Sequence, residues 1–368
     1  VNQRHYAAVI LAGGLSSRMQ QFKPLLPLGR ATVTDHVIDT FLSVNVEVLL
    51  VAGYRHGDIE DAIKKQPVNI VYNPDYEQGM FTSIQAGIRQ LQPDYQSFFI
   101  LPVDIPLVRA ATLSRLMAAA EQNPQRIIYP VFRGQRGHPP LIPSGLVPAI
   151  LGWGKGGGLK AVLESEKKLA LEVAVADGNI LLDMDTPEEY QAILERFRRD
   201  DIPTDEECNE ILKTICHVTP DRIRHDYKVA EAAFSIAGAL NIAGKKVDIE
   251  LVRAAAILHD IAKGQPKHDI AGGEILRWLG FEKVGDIVAV HSDLAGGDTG
   301  LPLESKVVYI ADKLIAGEKL VSLEERYHHP DFSPEIQALI AGRLEVAQLV
   351  KKELENLIGG SLESVIAR

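Results

Sequence analysis

Only two cysteines, Cys208 and Cys216, occur in 368 residues, and they do not form a CxxC pair. Two thiols are too few for a disulfide framework, so the sequence points to a reducing, cytoplasmic setting. No apolar run approaches the roughly 20 residues that span a bilayer, and no signal-peptide pattern precedes the first apolar stretch. Basic residues are in deficit: 39 Lys and Arg stand against 49 Asp and Glu, a formal net charge of −10. Without a basic excess to neutralise a phosphate backbone, the chain is not a general binder of nucleic acid or anionic membranes. A local cationic pocket for a small phosphorylated ligand remains compatible with that balance. Internal repeats and low-complexity segments are absent, as are the phosphate-loop patterns GxxxxGK[ST] and GxGxxG.

What the chain does have is 46% hydrophobic and 24% charged residues. This is the composition of an ordinary globular protein, at a length that favours two domains. The halves differ in rhythm. From residue 7 to about 195, the continuous apolar runs AAVILA, EVLLVAG, NIVYN, SFFILPVD and RIIYPVF alternate with helix-like segments such as TVTDHVIDTFLS, FTSIQAGIRQLQ and AATLSRLMAAAEQ. Such runs are typical of buried parallel strands, and the alternation predicts a mostly parallel, Rossmann-like α/β sheet covered by helices on both faces. The charged stretch Glu195 to Cys208 carries a proline and no apolar run, and it reads as a connector. Beyond it strand signals vanish and apolar residues recur at helical spacing, predicting an all-α domain. The expected division is residues 1–198 and 199–368, with a linker at about 196–207. The closing amphipathic stretch ALIAGRLEVAQLVKKELENLI is expected to pack on its own domain.

In an open parallel sheet, ligands bind beyond the carboxyl ends of strands. Gly13 and Gly14 follow the first apolar run, where glycines let backbone N–H groups turn toward an anion. Arg18 and Lys23 then supply positive charge, Arg as a fork and Lys as a point charge. Alone, this would be equally consistent with a glycine turn followed by two solvated cations. Asp104 ends the most apolar strand, an expensive place for an unpaired carboxylate and a natural one for a divalent-metal ligand. Asp183 and Asp185 lie in LLDMDTPEEY; Asp185 either joins Asp104 at a metal or caps the helix begun by Thr186-Pro187.

The ordered set formed by the glycine loop, NPDYEQGMFTSIQAGI, LPVDIPLV, GHPPLI, GGGLKAVL and DMDTPEEY resembles the molybdenum-cofactor cytidylyl- and guanylyltransferases, over about the first 195 residues. The resemblance implies a nucleotide-diphospho-sugar-transferase-like fold. It implies that Leu11, Ala12, Gly13, Gly14 and Ser16 contact the base and phosphates, and that Gly79 and Ser83 lie beside the nucleotide. Arg18 and Lys23 would stabilise the triphosphate, and Asp104 with Asp185 would hold Mg²⁺. His138 and Gly156 to Gly158 would line the acceptor side. The implied reaction is attack of an acceptor phosphate on the α-phosphorus of an NTP with release of pyrophosphate. The acceptor would be molybdopterin, with a molybdoenzyme or cofactor-insertion protein as a further partner. LSSRM, KPLLPL, GHPPLI and DMDTPEEY resemble the cytidylyl branch and favour CTP, whereas the AGG triplet resembles the guanylyl branch and GTP. A sugar phosphate or another small phosphorylated acceptor is the alternative.

The second half holds His225, the pair His259-Asp260, His268, His291 and Asp312, each in or beside a helical pattern with apolar neighbours. On AAAILHDIAKG, Val252, Ala255, Ala256, His259 and Lys263 share one helical stripe. Imidazoles and carboxylates facing a bundle interior are costly unless they bind something, and neutral imidazoles with carboxylates suit Fe, Mn or similar ions. With His225 upstream and YIADKL downstream, HDIAKG resembles the HD-domain metal-dependent phosphohydrolases over roughly residues 220 to 320. That resemblance implies a first metal on His225, His259, Asp260 and Asp312 and a second on His268 and His291. Asp260 would bridge them and Lys263 would contact a substrate phosphate. The implied activity is hydrolysis of a nucleotide or phosphate ester; the alternative is a nucleotide-sensing module that regulates the first domain.

Overall fold

The computed structural model describes residues 6–15, 19, 21–64, 66–294, 300–328 and 332–367. The chain divides into two compact units, Val1–Asp200 and Asp201–Arg368. No helix among the described residues is long and apolar enough to cross a membrane.

The strands of the first unit are β1 (Tyr6–Leu11), β2 (Pro27–Leu28), β3 (Ala31–Thr32), β4 (Glu47–Ala52), β5 (Asn69–Tyr72), β6 (Ser97–Pro102), β7 (Ile127–Phe132), β8 (Gln135–Arg136), β9 (Leu141–Pro143) and β10 (Ala170–Ala174). The main sheet runs β10-β7-β9-β6-β1-β4-β5, with β8 attached to β7. β1 pairs in parallel with both β4 and β6, so the chain order reverses on either side of β1 and opens a crevice at its carboxyl end. β8 and β9 depart from the parallel pattern: β9 lies antiparallel to β6 and β7, and β8 lies antiparallel to β7.

The apolar run of β1 explains its central place. Ala8 and Ile10 enter a core with helices α1 (Val33–Ser43), α2 (His56–Ile63), α4 (Ala110–Gln122) and α7 (Pro187–Arg198). Ala7, Val9 and Leu11 enter the opposite core, with α3 (Met80–Ile88), α5 (Val147–Leu151) and α6 (Gly158–Ser165). Both faces of the strand are buried, so both must be apolar. Gly87 lets α3 press on the sheet, since a Cβ there would lie 2.4 Å from Val9 and 2.8 Å from Val51.

The second unit comprises α8 (Asp205–Glu210), α9 (Pro220–Ile242), α10 (Ile249–Leu258), α11 (His268–Trp278), α12 (Glu282–Val288), α13 (Leu303–Leu314), α14 (Leu323–Tyr327), α15 (Pro334–Ile358) and α16 (Leu362–Ile366). The buried α9 packs on α10 and α13 at its centre. The structure adds three details to what the sequence predicts. The stretch expected to connect the domains is helical at both ends, because α7 runs to Arg198 and α8 begins at Asp205 under a Thr204–Glu207 capping box. The helical half contains a small hairpin, β11 (Ile315–Ala316) with β12 (Lys319–Leu320), turned by Gly317 at φ 61°. Helix α10 stops at Leu258, so Lys263 does not continue its stripe and His259 caps its end. In α15 the buried residues Ala347, Val350 and Leu354 pack on the unit, while Ile336 and Leu339 nearer its start are exposed.

Candidate functional site

At the carboxyl end of β1, the Ala12 N–H donates to the Val51 carbonyl (2.9 Å) and the Tyr54 N–H to the Gly13 carbonyl (3.3 Å). A Cβ on Gly13 would lie 3.0 Å from the Gly53 nitrogen, and one on Gly53 would lie 2.5 Å from the Tyr76 Cβ. Two backbone segments therefore meet without side chains, and the cleft they leave measures about 330 Å³. Leu11 to Gly14, Lys23, Gly79, Ser83 and Asp104 all line it. Ser16 and Arg18 lie outside the described residues.

One wall is built by the NPDYEQG segment. Buried Asn73 donates to the Ser83 hydroxyl (2.9 Å) and the Thr82 hydroxyl (3.0 Å), tying the loop to the first turn of α3. Gly79, at φ 108°, caps that helix, and the helix start at Met80 and Ser83 lines the cleft. On the floor, Lys23 Nζ donates to Asp185 (2.5 Å) and Asp104 (3.3 Å). Burial pushes the Asp104 carboxyl above the usual range; Lys23 opposes this, and Asp185 and Asp183 add to it. Asp185 is not the cap of α7: Thr186 is, in a capping box with Glu189, while the Asp185 carboxylate accepts from Lys23. Two carboxylates held 162 and 81 residues in sequence from one lysine form a hard-oxygen donor pair suited to Mg²⁺.

A second cavity of about 500 Å³ shares Met80 and Pro102 with the first. His138, Tyr129, Arg136, Gly157 and Gly158 line it; Gly156 does not. The His138 N–H donates to the Ile180 carbonyl (2.9 Å), and burial lowers the imidazole pKa against the pull of Asp104 and Asp183, keeping the ring neutral. Nothing in the sequence singles out Arg136, whose guanidinium stacks 4.5 Å from the Tyr129 ring centre and pairs with Glu172.

In the second unit, four imidazoles form a row with ring centres 5.6, 5.1 and 5.3 Å apart: His225, His259, His291 and His268. Nδ1–H of His225 donates to the Gly317 carbonyl (2.8 Å), that of His259 to Ala256 (2.8 Å) and that of His291 to Val288 (2.7 Å). With Nδ1 so engaged, each Nε2 is the ring nitrogen left to meet a ligand or a proton. Asp260 stands between two groups. Its Oδ1 lies 3.3 Å from His268 Nε2 and 3.4 Å from His291 Nε2; its Oδ2 lies 3.6 Å from His259 Nε2. Asp312 Oδ1 is 3.4 Å from His225 Nε2 and 3.6 Å from His259 Nε2. All six predicted ligands thus converge, from α9, the end of α10, α11, the segment after α12, and α13.

Burial alone would hold the Asp260 carboxyl high and the His259 imidazole low. Instead, contacts with His291, His259 and Lys263 take Asp260 well below the carboxylate range, and Asp312, Asp260 and Asp226 raise His259 to about 9. Buried His259 Nε2 has no hydrogen-bond partner. Mixed imidazole and carboxylate donors with an orphaned ring nitrogen fit a divalent transition metal. Two groups of donors lie within 4.8 Å of one another: His225, Asp226, His259 and Asp260, and Asp260, His268 and His291. Sequence reasoning missed Asp226. It also missed Arg222, whose Nη1 donates to Asp260 Oδ2 (2.7 Å) beside Lys263 Nζ (3.3 Å).

Residues 8–173 match the MobA-like NTP transferase domain family, and residues 222–317 match the HD domain family. A molybdenum cofactor cytidylyltransferase of Escherichia coli is 28% identical over 190 residues, covering 51% of this chain and 95% of the relative. A probable molybdenum cofactor guanylyltransferase of Bacillus cereus is 28% identical over 134 residues, covering 36% of this chain and 64% of the relative. The solved structure of a nucleotidyl transferase from Methanothermobacter is 25% identical, with a TM-score of 0.47, covering 54% of this chain and 100% of its own. By the two family matches, the chain carries a MobA-like NTP transferase domain over residues 8–173 and an HD domain over residues 222–317.

Proposed function

We propose that the first unit transfers a nucleotidyl group from CTP, in preference to GTP, to a phosphorylated acceptor, molybdopterin, and releases pyrophosphate. The observation that carries the reading is the Lys23–Asp104–Asp185 cluster on the floor of the glycine-walled cleft. Its preference for CTP and for molybdopterin is supported by the 28% identity to the Escherichia coli cytidylyltransferase. Asp104 and Asp185 would hold Mg²⁺, which supplies charge neutralisation to a triphosphate. The glycine-walled backbone and the start of α3 bind the nucleotide, and the neighbouring cavity with His138 seats the acceptor so that its phosphate oxygen lies in line with the α-phosphorus. One P–O bond forms as the bond to pyrophosphate breaks, so catalysis is alignment plus compensation of the growing negative charge by Lys23. Following pyrophosphate release from molybdopterin with each NTP tests it; no release with any NTP contradicts it.

For the second unit the proposal is hydrolysis of a phosphate ester at a two-ion centre of Fe or Mn, carried by the place of Asp260 between two histidine groups. His225, His259, Asp260 and Asp312 would hold one ion, and Asp260, His268 and His291 the other. A metal pair supplies an activated water to such a reaction. Lys263 and Arg222, both within reach of Asp260, provide the charge that orients a substrate phosphate. A phosphatase screen on the full chain loaded with Mn²⁺ or Fe²⁺ tests this. Nucleotide binding without turnover under either metal would instead establish a sensing module.

A further inference from the structure

On α9 the core positions Val229, Ala230, Ala233, Ala237 and Leu240 are fully buried. They follow residue 226 by 3, 4, 7, 11 and 14 positions, which is one continuous helical face. The residue at the head of that face should be apolar. It is Asp226, and it too is fully buried. Neither of its carboxylate oxygens has a hydrogen-bond partner. A buried carboxylate with no donor is among the most costly groups a core can hold, and an apolar residue of like size would avoid that cost.

The surroundings supply the reason. Asp226 directly follows His225, and its Oδ1 lies 3.8 Å from His259 Nδ1. One of its oxygens falls within 4.8 Å of donor atoms of His225, His259 and Asp260. The other nitrogen of that ring, His259 Nε2, is buried and lacks a hydrogen-bond partner. An orphaned imidazole nitrogen and an orphaned carboxylate thus belong to one cluster of donor residues. A cation there compensates both at once.

We propose that Asp226 is a ligand of the first metal site, a further side chain beside His225, His259, Asp260 and Asp312. This rests on the metal-centre reading of the second unit. The extra carboxylate adds an anionic oxygen donor and biases the site toward a hard, high-coordination ion such as Mn²⁺ or Fe²⁺.

The test is a crystal structure of the wild-type full chain loaded with Mn²⁺, with calorimetric titration of Mn²⁺ into metal-free wild type and Asp226→Asn. The proposal expects an Asp226 oxygen at about 2.1 Å from the ion, as for hard-oxygen bonds to small divalent ions. It also expects the tighter Mn²⁺ to bind at least about 10-fold more weakly to Asp226→Asn, the scale seen when carboxylates supporting a metal are removed. An ion bound with both Asp226 oxygens beyond about 3 Å, outside that bonding range, overturns the proposal and leaves the metal centre standing. Wild-type affinity in a folded Asp226→Asn chain does the same. No ion in the wild type overturns the metal centre itself. Should Asp226→Asn fail to fold, the wild-type structure decides.

Discussion

Lys23 is buried, yet its ammonium has two carboxylates within reach, and this pairing defines what single substitutions should do. Lys23→Ala removes the charge that faces the reacting phosphates, and kcat for pyrophosphate release should fall by about 10²–10³-fold or more, the cost of deleting one preorganised charge-stabilising group. Circular dichroism should show the fold retained; a folded variant with wild-type turnover contradicts the assigned role. His36 gives a pH prediction independent of catalysis. Its ring packs edge-on against Phe197, and burial lowers its pKa despite Asp200 and Asp39. A histidine depressed in the fold takes up its proton more readily when unfolded, so its stabilising share is present above the unfolded value of about 6.5 and is lost as pH falls through the folded one. Thermal melts at about pH 7.5 and about pH 5.5 should therefore show a smaller acid loss for His36→Gln than for wild type; equal losses contradict it. At this scale the sequence showed which residue types recur beside apolar runs, and the six histidines and aspartates of the second unit could be picked out by their order. Asp226 and Arg222 could not, because an Asp interrupting an apolar stripe and an Arg one turn before a histidine have the same appearance on any solvated helix face. Only packing distinguishes them.

Helices α11 and α12 carry the second histidine pair, His268 at the start of α11 and His291 just after α12. They meet at two glycines: a Cβ on Gly273 would lie 2.7 Å from the Gly285 carbonyl, and one on Gly285 would lie 2.7 Å from the Gly273 carbonyl. Backbones this close leave no room for a methyl, so Gly273→Ala should destabilise the unit by about 1–3 kcal/mol, the usual cost of overpacking. It should also weaken the ion held by His268 and His291 more than the ion held by His225 and Asp312, as read by metal titration. Equal weakening of both would show that the glycine contact does not set the histidine spacing. Long apolar runs made β1, β4 and β6 readable in the sequence, because strands buried on both faces have no polar alternation to hide. The antiparallel β9, three residues within GHPPLIP, and the hairpin after α13 were not readable. Each is too short to show a period, and IAGEKL continues the helical spacing of YIADKL until Gly317 turns it.

The two units draw on different chemistry, carboxylates around a lysine in one and imidazoles with carboxylates in the other, so metal should act on them separately. Saturating Mn²⁺ at about 100 times its Kd should stabilise the second unit by about 2.7 kcal/mol through mass action, raising one thermal transition and leaving the other in place. Removing the metal with a chelator should reverse the shift. The switch in rhythm near residue 200, from apolar runs to helical spacing, was visible without a structure because a parallel sheet and a helical bundle bury different periodicities. What the cavity beside His138 accepts was not, since its lining comes from segments spread between Met80 and Glu164. The central claim concerns the first unit. The most direct measurement is pyrophosphate release by the full chain incubated with Mg²⁺, molybdopterin and each NTP in turn, with Asp104→Ala as control. The expected result is acceptor-dependent release, fastest with CTP and abolished in Asp104→Ala. No release with any NTP, or full activity in a folded Asp104→Ala chain, would contradict it.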